Sequence, residues 1–294
     1  MKGRNEDEVT LVDPRQLEPW LGGRSFENCY AEYKEEGYIV FRNVMSPEEV
    51  SRVRDALKSH FVHRGRNNFE GFKSNRVYAL LAKSPRVFSD MVTHPLALGF
   101  AEADLGASCL VSAFLAINLL QGETVQDWHR DDGSIPIPSS RPTYGVSTFW
   151  AIDDMTEENG ATEIVPRSHL WNDQLSPRNF YDDRFDDRER DVNDDPDPRK
   201  DAIKIVMPAG SLMIASGHLL HRGGANKSNA PRLIVTPQYC PGWVRQIENM
   251  MAAVPRKIAA TLPKRTRQLI GYSIHGVFIG YVDGVHPETV LRAS

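Results

Sequence analysis

The first hundred residues alternate between helical and strand-like spacing of their apolar positions. Between residues 24 and 37, Phe26, Tyr30 and Tyr33 recur at the spacing of one helical face. The apolar run at residues 38–41 follows directly and is typical of a short buried strand. The pattern therefore predicts that the chain opens with a helix and then a strand.

A second helix carries the clearest end signals. Ser46 suits the N-cap, Pro47 the first helical position and Glu49 the reciprocal hydrogen bond of a capping box. Its predicted apolar stripe consists of Val50, Val53, Leu57 and Phe61. A third helix is predicted at residues 95–104, and Gly106 is its expected stop signal.

From Cys109 onward the pattern changes to short apolar or alternating segments separated by turn residues. Within residues 144–152, Val146, Thr148 and Trp150 fall on one face of a strand. Further strands are predicted at residues 203–207, 212–214, 219–220 and 232–239. Many short strands with flanking helices predict a mainly β fold of the α+β class, built on a sandwich or a small barrel of jelly-roll type.

Residues 172–200 interrupt the β pattern. The segment is rich in Asp and Arg, has almost no aliphatic residues and lacks the period of a core element. It is predicted to be a surface insertion, either a solvated loop or a lid over a site, and the sequence leaves both open. We expect a single domain over residues 1–294, with N-terminal additions at 1–108, a β core at 109–240 and a C-terminal helical extension at 241–294.

The composition adds limits to this picture. A chain of 294 residues that is 40% hydrophobic and 25% charged is typical of a packed globular protein. Three distant cysteines without a CxxC pair argue against a disulfide framework or a thiolate zinc site. A net charge of −4 does not indicate the clustered basic surface that is typical of nucleic-acid-binding proteins. Because neither a secretory signal nor an apolar membrane span is apparent, we expect a cytoplasmic location and no membrane partner.

Candidate chemistry begins with a histidine and an aspartate two residues apart. His129 and Asp131 lie in a strand-like segment, where such spacing points both side chains to one side. This pattern is common in proteins that bind no metal, so a third ligand is required. The downstream candidates are His169, His218, His221, His275 and His286. His221 is favoured because it ends an apolar segment, whereas His218 would face the opposite way in a strand.

Two imidazoles and one carboxylate leave half of an octahedral coordination sphere open. That arrangement is typical of non-haem Fe(II) oxygenases, whose open positions accept a co-substrate and dioxygen. A 2-oxo acid that chelates iron needs a cation for its distal carboxylate, and an arginine provides two parallel charge-assisted hydrogen bonds. Arg232 follows His221 on the next predicted strand and fits that role. A zinc or manganese hydrolase is disfavoured because Arg232 would then have no task.

An ordered series of motifs resembles the phytanoyl-CoA dioxygenase family of Fe(II)/2-oxoglutarate-dependent oxygenases. The motifs are Gln126-x-x-His129-x-Asp131, residues 150–154, residues 158–169, and His221 with Asn226 and Arg232, preceded by a helix–strand–helix at residues 33–57. Arg167 departs from the family pattern, which usually has glycine in this turn. The resemblance implies a double-stranded β-helix core of the jelly-roll, cupin-like type, with Fe(II) as the metal and 2-oxoglutarate and O₂ as co-substrates.

The resemblance also implies roles for individual residues. Iron would be held by His129, Asp131 and His221, and the distal carboxylate of 2-oxoglutarate by Arg232. Further residues implied at the co-substrate are Gln126, Thr162, Arg76 and Trp150. Trp150 would wall the co-substrate pocket, and a core aromatic on a strand is the alternative for this residue. No catalytic side chain beyond the metal ligands is expected.

The aspartate at position 131 bears on the type of reaction. Related halogenases have alanine or glycine at this position, so hydroxylation of an unactivated C–H bond is favoured, with conversion of 2-oxoglutarate to succinate and CO₂. A small natural-product intermediate is favoured over an acyl-CoA, because nothing places a basic patch for phosphates near the iron. Desaturation, epoxidation, rearrangement and endoperoxide formation are alternative outcomes, and a cupin-like binding protein is the non-enzymatic alternative. The sequence leaves a homodimer open.

Overall fold

The computed structural model describes residues 9–133, 137, 141–172 and 189–292. The α-helices are α1 (Phe26–Glu36), α2 (Pro47–Leu57), α3 (Leu80–Lys83), α4 (Pro85–Val92), α5 (Pro95–Leu105), α6 (Met250–Ala253), α7 (Arg256–Ala259) and α8 (Lys264–Leu269). The strands are β1 (Tyr38–Phe41), β2 (Ser74–Val77), β3 (Leu110–Leu119), β4 (Val146–Ala151), β5 (Glu163–Ile164), β6 (Ile203–Lys204), β7 (Leu212–Ser216), β8 (His221–Arg222) and β9 (Arg232–Cys240).

The strands form two antiparallel sheets. The larger sheet has six strands in the order β1-β7-β4-β9-β3-β2, and the smaller has the order β6-β5-β8. In the larger sheet, β3 and β9 are paired over almost their whole length, from Leu110 opposite Cys240 to Leu119 opposite Arg232. The mainly β fold with flanking helices is thus confirmed.

The sequence signals predict both ends of α1 and the start of α2. Ser25 caps α1, and Gly37 ends it at a φ of 84°, a left-handed conformation that glycine adopts without strain. At α2, Ser46 and Glu49 form the predicted capping box, with Pro47 at the first position. Because these ends are fixed locally, their positions could be predicted from the sequence alone.

Side chains on the six-stranded sheet divide between its two faces. One face packs against the N-terminal helices through a large apolar cluster that includes Trp150 and Ile214 together with Phe100 of α5. The opposite face carries a second cluster, to which Phe149 and Met213 belong. Strand alternation sends neighbouring residues to different clusters, and the second face holds the candidate site.

Several predicted elements differ from the structure. Helix α2 ends at Leu57, so the stripe predicted to continue to Phe61 stops one turn earlier. Residues 219–220 form a turn before β8 instead of a strand, because the Leu219 backbone N–H donates to the carbonyl of Ser216. Of the segment 203–207, residues 203–204 are paired as β6. Among the described residues, no helix is both long enough and apolar enough to cross a bilayer.

Candidate metal centre

Two short backbone segments bring the candidate ligands together. His129 and His221 form an antiparallel bridge in which each backbone N–H donates to the other's carbonyl at 3.0 Å. Asp131 lies two residues beyond His129, at the start of a turn. Residues bridged in this way lie side by side, so the two imidazoles share one face and Asp131 reaches the same point.

The three side chains form a compact group of potential ligand atoms. One atom from each of His129, Asp131 and His221 lies within 4.8 Å of the others, and in the described part of the chain this is the group that could hold a metal ion. His129 Nε2 is 3.7 Å from Asp131 Oδ1, and His221 Nε2 is 3.6 Å from the same oxygen. The third ligand expected from the sequence, His221, is therefore beside the HxD pair.

The orientation of both imidazoles is fixed by hydrogen bonds to the backbone. His129 Nδ1 lies 3.0 Å from the carbonyl of Asp127, and His221 Nδ1 lies 3.1 Å from the carbonyl of Leu219. A carbonyl can only accept, so Nδ1 carries the proton in each ring and Nε2 keeps its lone pair. Both Nε2 atoms face Asp131, as metal coordination requires.

Burial and charge favour the neutral, ligating form of His129. Burial lowers its pKa, and the neighbouring His221 lowers it further, while Asp131 opposes the shift. Apolar rings cover the pair: Phe69 meets the His129 ring edge-on at 4.9 Å, and Phe149 meets His221 at 5.5 Å. These ring contacts cover part of each imidazole and restrict its rotation.

A cavity of about 510 Å³ opens next to the three ligands. Arg232 lines it and is almost fully buried, at 2% exposure. The guanidinium donates from Nη2 to the carbonyl of Gly160 at 2.5 Å, while Nε and Nη1 have no partner in the described residues. Burial lowers the pKa of Arg232 to about 10, so it stays charged at neutral pH. A buried cation with two free donors is a strong site for a carboxylate.

Three further residues expected at the co-substrate also line the cavity. Thr162 is buried in its wall. Arg76 donates from Nε to the carbonyl of Glu70 at 2.7 Å and from Nη2 to that of Phe69 at 3.1 Å. Gln126 donates to the Phe69 carbonyl at 2.9 Å and accepts from the Gly223 N–H at 3.0 Å. Arg76 and Gln126 therefore hold the loop that carries Phe69 over the metal ligands.

Trp150 does not lie where the resemblance implies. It is on the face of β4 opposite to Phe149 and borders a different hollow, packed 5.1 Å from the ring of His94. The expectation that it walls the co-substrate pocket is not met, because strand alternation sends the residue after Phe149 to the helix-covered side of the sheet.

The other candidate histidines have structural contacts elsewhere. His218 Nδ1 lies 3.0 Å from the Asp132 carboxylate, and His169 Nε2 lies 2.9 Å from the carbonyl of Lys34. His275 contacts the hydroxyl of Ser108, and His286 caps a short 3₁₀ helix. None of these four belongs to the ligand group in the described residues.

The end of the charged insertion is attached beside the metal ligands. Arg222, the residue after His221, pairs with Glu163 at 2.8 Å and with Asp195 at 2.5 Å. Its guanidinium stacks 4.4 Å from the ring of Trp128, the residue before His129. Residues 173–188, where the choice between loop and lid would be decided, lie outside the described residues.

Sequence reasoning missed several residues of the site. Ser147 donates to the carboxylate of Asp131, and Phe69 and Phe149 pack on the imidazoles. Glu248 lines the cavity from the region after β9. These contacts join residues far apart in the chain and follow no local spacing rule. The alternation along β4, which puts Ser147 and Phe149 on one face, was the only available signal.

Comparison with solved structures identifies the fold. One similar structure is the non-haem α-ketoglutarate-dependent carbocyclase SnoK from nogalamycin biosynthesis. Its sequence is 21% identical and its TM-score is 0.58, and the match covers 76% of this chain and 86% of the SnoK chain. The epimerase SnoN, solved with Fe³⁺, α-ketoglutarate and nogalamycin RO, is 20% identical with a TM-score of 0.57, covering 74% and 84%. The expected jelly-roll core is confirmed.

Comparison with curated proteins gives relatives over nearly the whole chain. The dioxygenase af480 of Aspergillus fumigatus is 28% identical, covering 96% of this chain and 93% of its own length. The multifunctional dioxygenase prhA of Penicillium brasilianum is 24% identical, covering 89% and 87%. The phytanoyl-CoA dioxygenase (PhyH) family model matches residues 33–234, which is more than half of the chain. This protein therefore belongs to the phytanoyl-CoA dioxygenase family and is an Fe(II)/2-oxoglutarate-dependent dioxygenase.

Proposed function

We propose that His129, Asp131 and His221 hold the iron and that Arg232 binds the distal carboxylate of 2-oxoglutarate. The donor set supports this assignment, since two neutral imidazoles and one carboxylate are ligands that suit Fe(II) and leave positions for a co-substrate. The observation that carries the proposal is the pairing of this ligand group with Arg232, whose Nε and Nη1 are buried without partners in the described residues that line the same cavity.

Each residue contributes a distinct task to catalysis. Bound iron, with 2-oxoglutarate and dioxygen, supplies the oxidation of an unactivated C–H bond while 2-oxoglutarate becomes succinate and CO₂. Asp131 and the two histidines would hold the metal at one fixed position beside the cavity. Arg232 fixes the co-substrate through a fork that matches a carboxylate, and Phe69 and Phe149 keep water from the imidazoles.

Thr162, Arg76 and Gln126 complete the proposed co-substrate site. Thr162 offers a hydroxyl from the buried wall, and Arg76 adds a second positive charge to the cavity that contains Arg232. The amide of Gln126 is engaged on both sides by backbone groups. We propose that Gln126 acts mainly by holding the loop around Phe69 in place.

We propose that the substrate is a small natural product and that the usual outcome is hydroxylation. A cavity of about 510 Å³ with a largely apolar wall suits a small organic molecule. Asp131 would ligate the metal where a halogenase leaves room for a halide, which disfavours halogenation. The structural neighbours named carbocyclase and epimerase support rearrangement or epimerisation as a second candidate outcome. We propose that residues 1–294 act as one catalytic domain, because the N-terminal helices pack on one face of the six-stranded sheet and residues of its other face line the site.

Anaerobic reconstitution tests this proposal. Protein with Fe(II) and 2-oxoglutarate should develop a visible charge-transfer band, and His129→Ala should abolish it. His275→Ala is the matched control, because this histidine contacts Ser108 outside the ligand group and should leave the band unchanged. An unchanged band in His129→Ala, or succinate formation that never exceeds background with varied substrates, would count against the assignment. Product mass after turnover under labelled oxygen separates hydroxylation from the other outcomes.

A further inference from the structure

The cavity has two ends that the pairing of β3 with β9 sets apart. Arg232 lies opposite Leu119 at one end of the ladder, and Gln238 lies opposite Ala113 six residues further along. All four residues line the cavity. Six residues of extended strand span about 20 Å, so the end near Ala113 lies well beyond the groups proposed to bind the co-substrate.

Glu248 lies at the end of the cavity near Ala113. Its backbone N–H donates to the carbonyl of Ser112 at 2.7 Å, and the N–H of Ile247 donates to the Ser112 hydroxyl at 3.1 Å. These bonds tie the segment after β9 to the first residues of β3. Ile247 and Glu248 both line the cavity, as Ala113 does.

The carboxyl group of Glu248 is incompletely satisfied. Its Oε2 is buried and has no hydrogen-bond partner in the described part of the chain. Burial raises the pKa of Glu248, and the backbone N–H groups of Phe114 and Ala79, with the charge of Lys83, only partly oppose that shift. Buried polar atoms are nearly always paired in native proteins, so an unpaired oxygen in a ligand cavity indicates a missing partner.

The other acidic groups in the cavity wall already have partners. Glu70 is paired with the guanidinium of Arg66, and Glu123 accepts from the backbone N–H groups of Lys73 and Thr124. Asp131 belongs to the ligand group. Glu248 is therefore the lining acid, among the described residues, that has a buried carboxyl oxygen without a hydrogen-bond partner.

The wall around Glu248 is mostly apolar. Ala113, Leu115 and Ile247 contribute hydrocarbon surface. Gln238 and Thr236 add polar groups, and the Thr236 Oγ1 is also buried without a partner in the described residues. A molecule that fills this end must therefore be apolar in bulk, with a polar group placed for the carboxylate.

We propose that Glu248 binds a hydrogen-bond donor, an amine or a hydroxyl group, carried on the apolar skeleton of the substrate. The inference rests on the proposed function, since it assigns the end of the cavity opposite Arg232 to the substrate. Donation of an N–H or O–H to Oε2 pairs the buried oxygen and sets which part of the skeleton is turned toward the iron. Glu248 is thus a specificity-determining residue, and the iron ligands perform the chemistry.

Three probes of one shape test the proposal: 1-adamantylmethylamine, 1-adamantylmethanol and 1-ethyladamantane. Each is titrated anaerobically into protein loaded with Fe(II) and 2-oxoglutarate, and binding is followed by the change in the charge-transfer band and by calorimetry. The amine and the alcohol should bind at least about tenfold more tightly than the hydrocarbon, because pairing a buried carboxyl oxygen that otherwise has no partner is worth that factor or more.

Two variants at position 248 separate charge from hydrogen bonding. Glu248→Gln keeps an acceptor oxygen and should lose most of the preference for the amine while retaining that for the alcohol. Glu248→Met removes the acceptor and should bind all three probes alike. The control Glu70→Gln removes a lining charge that is already paired with Arg66 and should keep the wild-type order.

The results also distinguish this inference from the proposed function. The band forms before any probe is added, so its absence in wild-type protein would refute the iron site and not the role of Glu248. A normal band with equal affinities for the three probes, or with no binding of any of them, would overturn the role of Glu248. Thermal unfolding of each variant confirms that differences in binding come from folded protein.

Discussion

Ser147 donates a hydrogen bond from its hydroxyl to Oδ2 of Asp131, the carboxylate proposed to hold the iron. Ser147 lies on β4, buried and paired in register with Gln238 of β9. The strand position of the hydroxyl is therefore set by the sheet and not by the turn that carries Asp131. The bond leaves Oδ1, the oxygen nearest both imidazole Nε2 atoms, directed toward the metal position.

Removal of this hydroxyl should weaken metal binding. We expect Ser147→Ala to lower the affinity for Fe(II) by about tenfold, since groups that orient a metal ligand typically contribute that much. Co(II) titration monitored by visible absorption measures the change. Ser147→Thr keeps a hydroxyl on a strand and should restore most of the affinity. Wild-type affinity in Ser147→Ala would mean that the turn alone orients Asp131.

Arg232 should control the affinity for 2-oxoglutarate and not that for the metal. We expect Arg232→Met to weaken 2-oxoglutarate binding by about 100-fold, because it removes a buried charged fork. Arg232→Lys keeps the positive charge but lacks the two parallel donors of a guanidinium, so its affinity for 2-oxoglutarate should fall about tenfold. Titration of the charge-transfer band measures both values, and Co(II) affinity should stay constant. Arg199→Met, which breaks an ion pair with the half-exposed Asp201, is the control.

Arg222 should be important for stability. Its guanidinium is buried and pairs with the largely buried Glu163 and the partly exposed Asp195, and it stacks on Trp128. Loss of one partner from a buried ion pair costs about 3 kcal/mol, so Arg222→Met should lower the free energy of unfolding by that amount. Urea denaturation measures it.

The control for Arg222 is chemically matched. Arg199 also stacks on a tryptophan, Trp171 at 5.2 Å, and pairs with a carboxylate, but that carboxylate is half-exposed. Arg199→Met should therefore cost less than about 1 kcal/mol. Equal losses of unfolding free energy in Arg222→Met and Arg199→Met would show that the burial of Arg222 adds nothing to stability.

Local signals explain why parts of this structure could be predicted. The strand at residues 38–41 and the capping box of Ser46 and Glu49 depend on neighbouring residues only, and the structure has both. His129 and Asp131 are two residues apart and were recognisable as a pair. The choice of His221 depended on where an apolar segment ends, which is still a local property.

The unpredicted parts depend on pairing between distant segments. The alternation along β4 was visible, but the side of the sheet that the N-terminal helices cover is decided by contacts of α5 with β4. The choice between a pocket wall and a core position for Trp150 therefore depended on contacts that the sequence does not show. The contacts of Ser147 with Asp131 and of Glu248 with β3 likewise depend on registers that no short motif encodes.

Substitution of Trp150 tests its revised position. We expect Trp150→Phe to leave the affinity for 2-oxoglutarate within about twofold of wild type, because the indole lies on the far side of the sheet and its Nε1 has no partner in the described residues. Thr162 lines the cavity, so Thr162→Val, which removes its hydroxyl, should weaken the binding of 2-oxoglutarate by about tenfold. Titration of the charge-transfer band compares the two variants. A large loss of 2-oxoglutarate affinity in Trp150→Phe would indicate that Trp150 does contact the co-substrate.

His94 makes the folded protein sensitive to acid at a point remote from the metal. The ring is packed between Trp20 at 4.5 Å and Trp150 at 5.1 Å, and its Nδ1 accepts from the N–H of Leu96 at the start of α5. Burial lowers the pKa of His94 from 6.5 to about 4. Protonation would charge the buried ring and remove the acceptor that caps the helix.

The sign of the pH dependence follows from this depressed pKa. Between pH 6.5 and about 4 the unfolded chain binds a proton at His94 that the folded chain does not, so the stability present above pH 6.5 is lost as the pH falls. The contribution amounts to about 3 kcal/mol by pH 4. His94→Asn keeps a capping acceptor without a titrating group. As the pH falls from 7 to 4, the free energy of unfolding of wild type should therefore decrease relative to that of His94→Asn. A constant difference between the two proteins would mean that His94 does not titrate in this range.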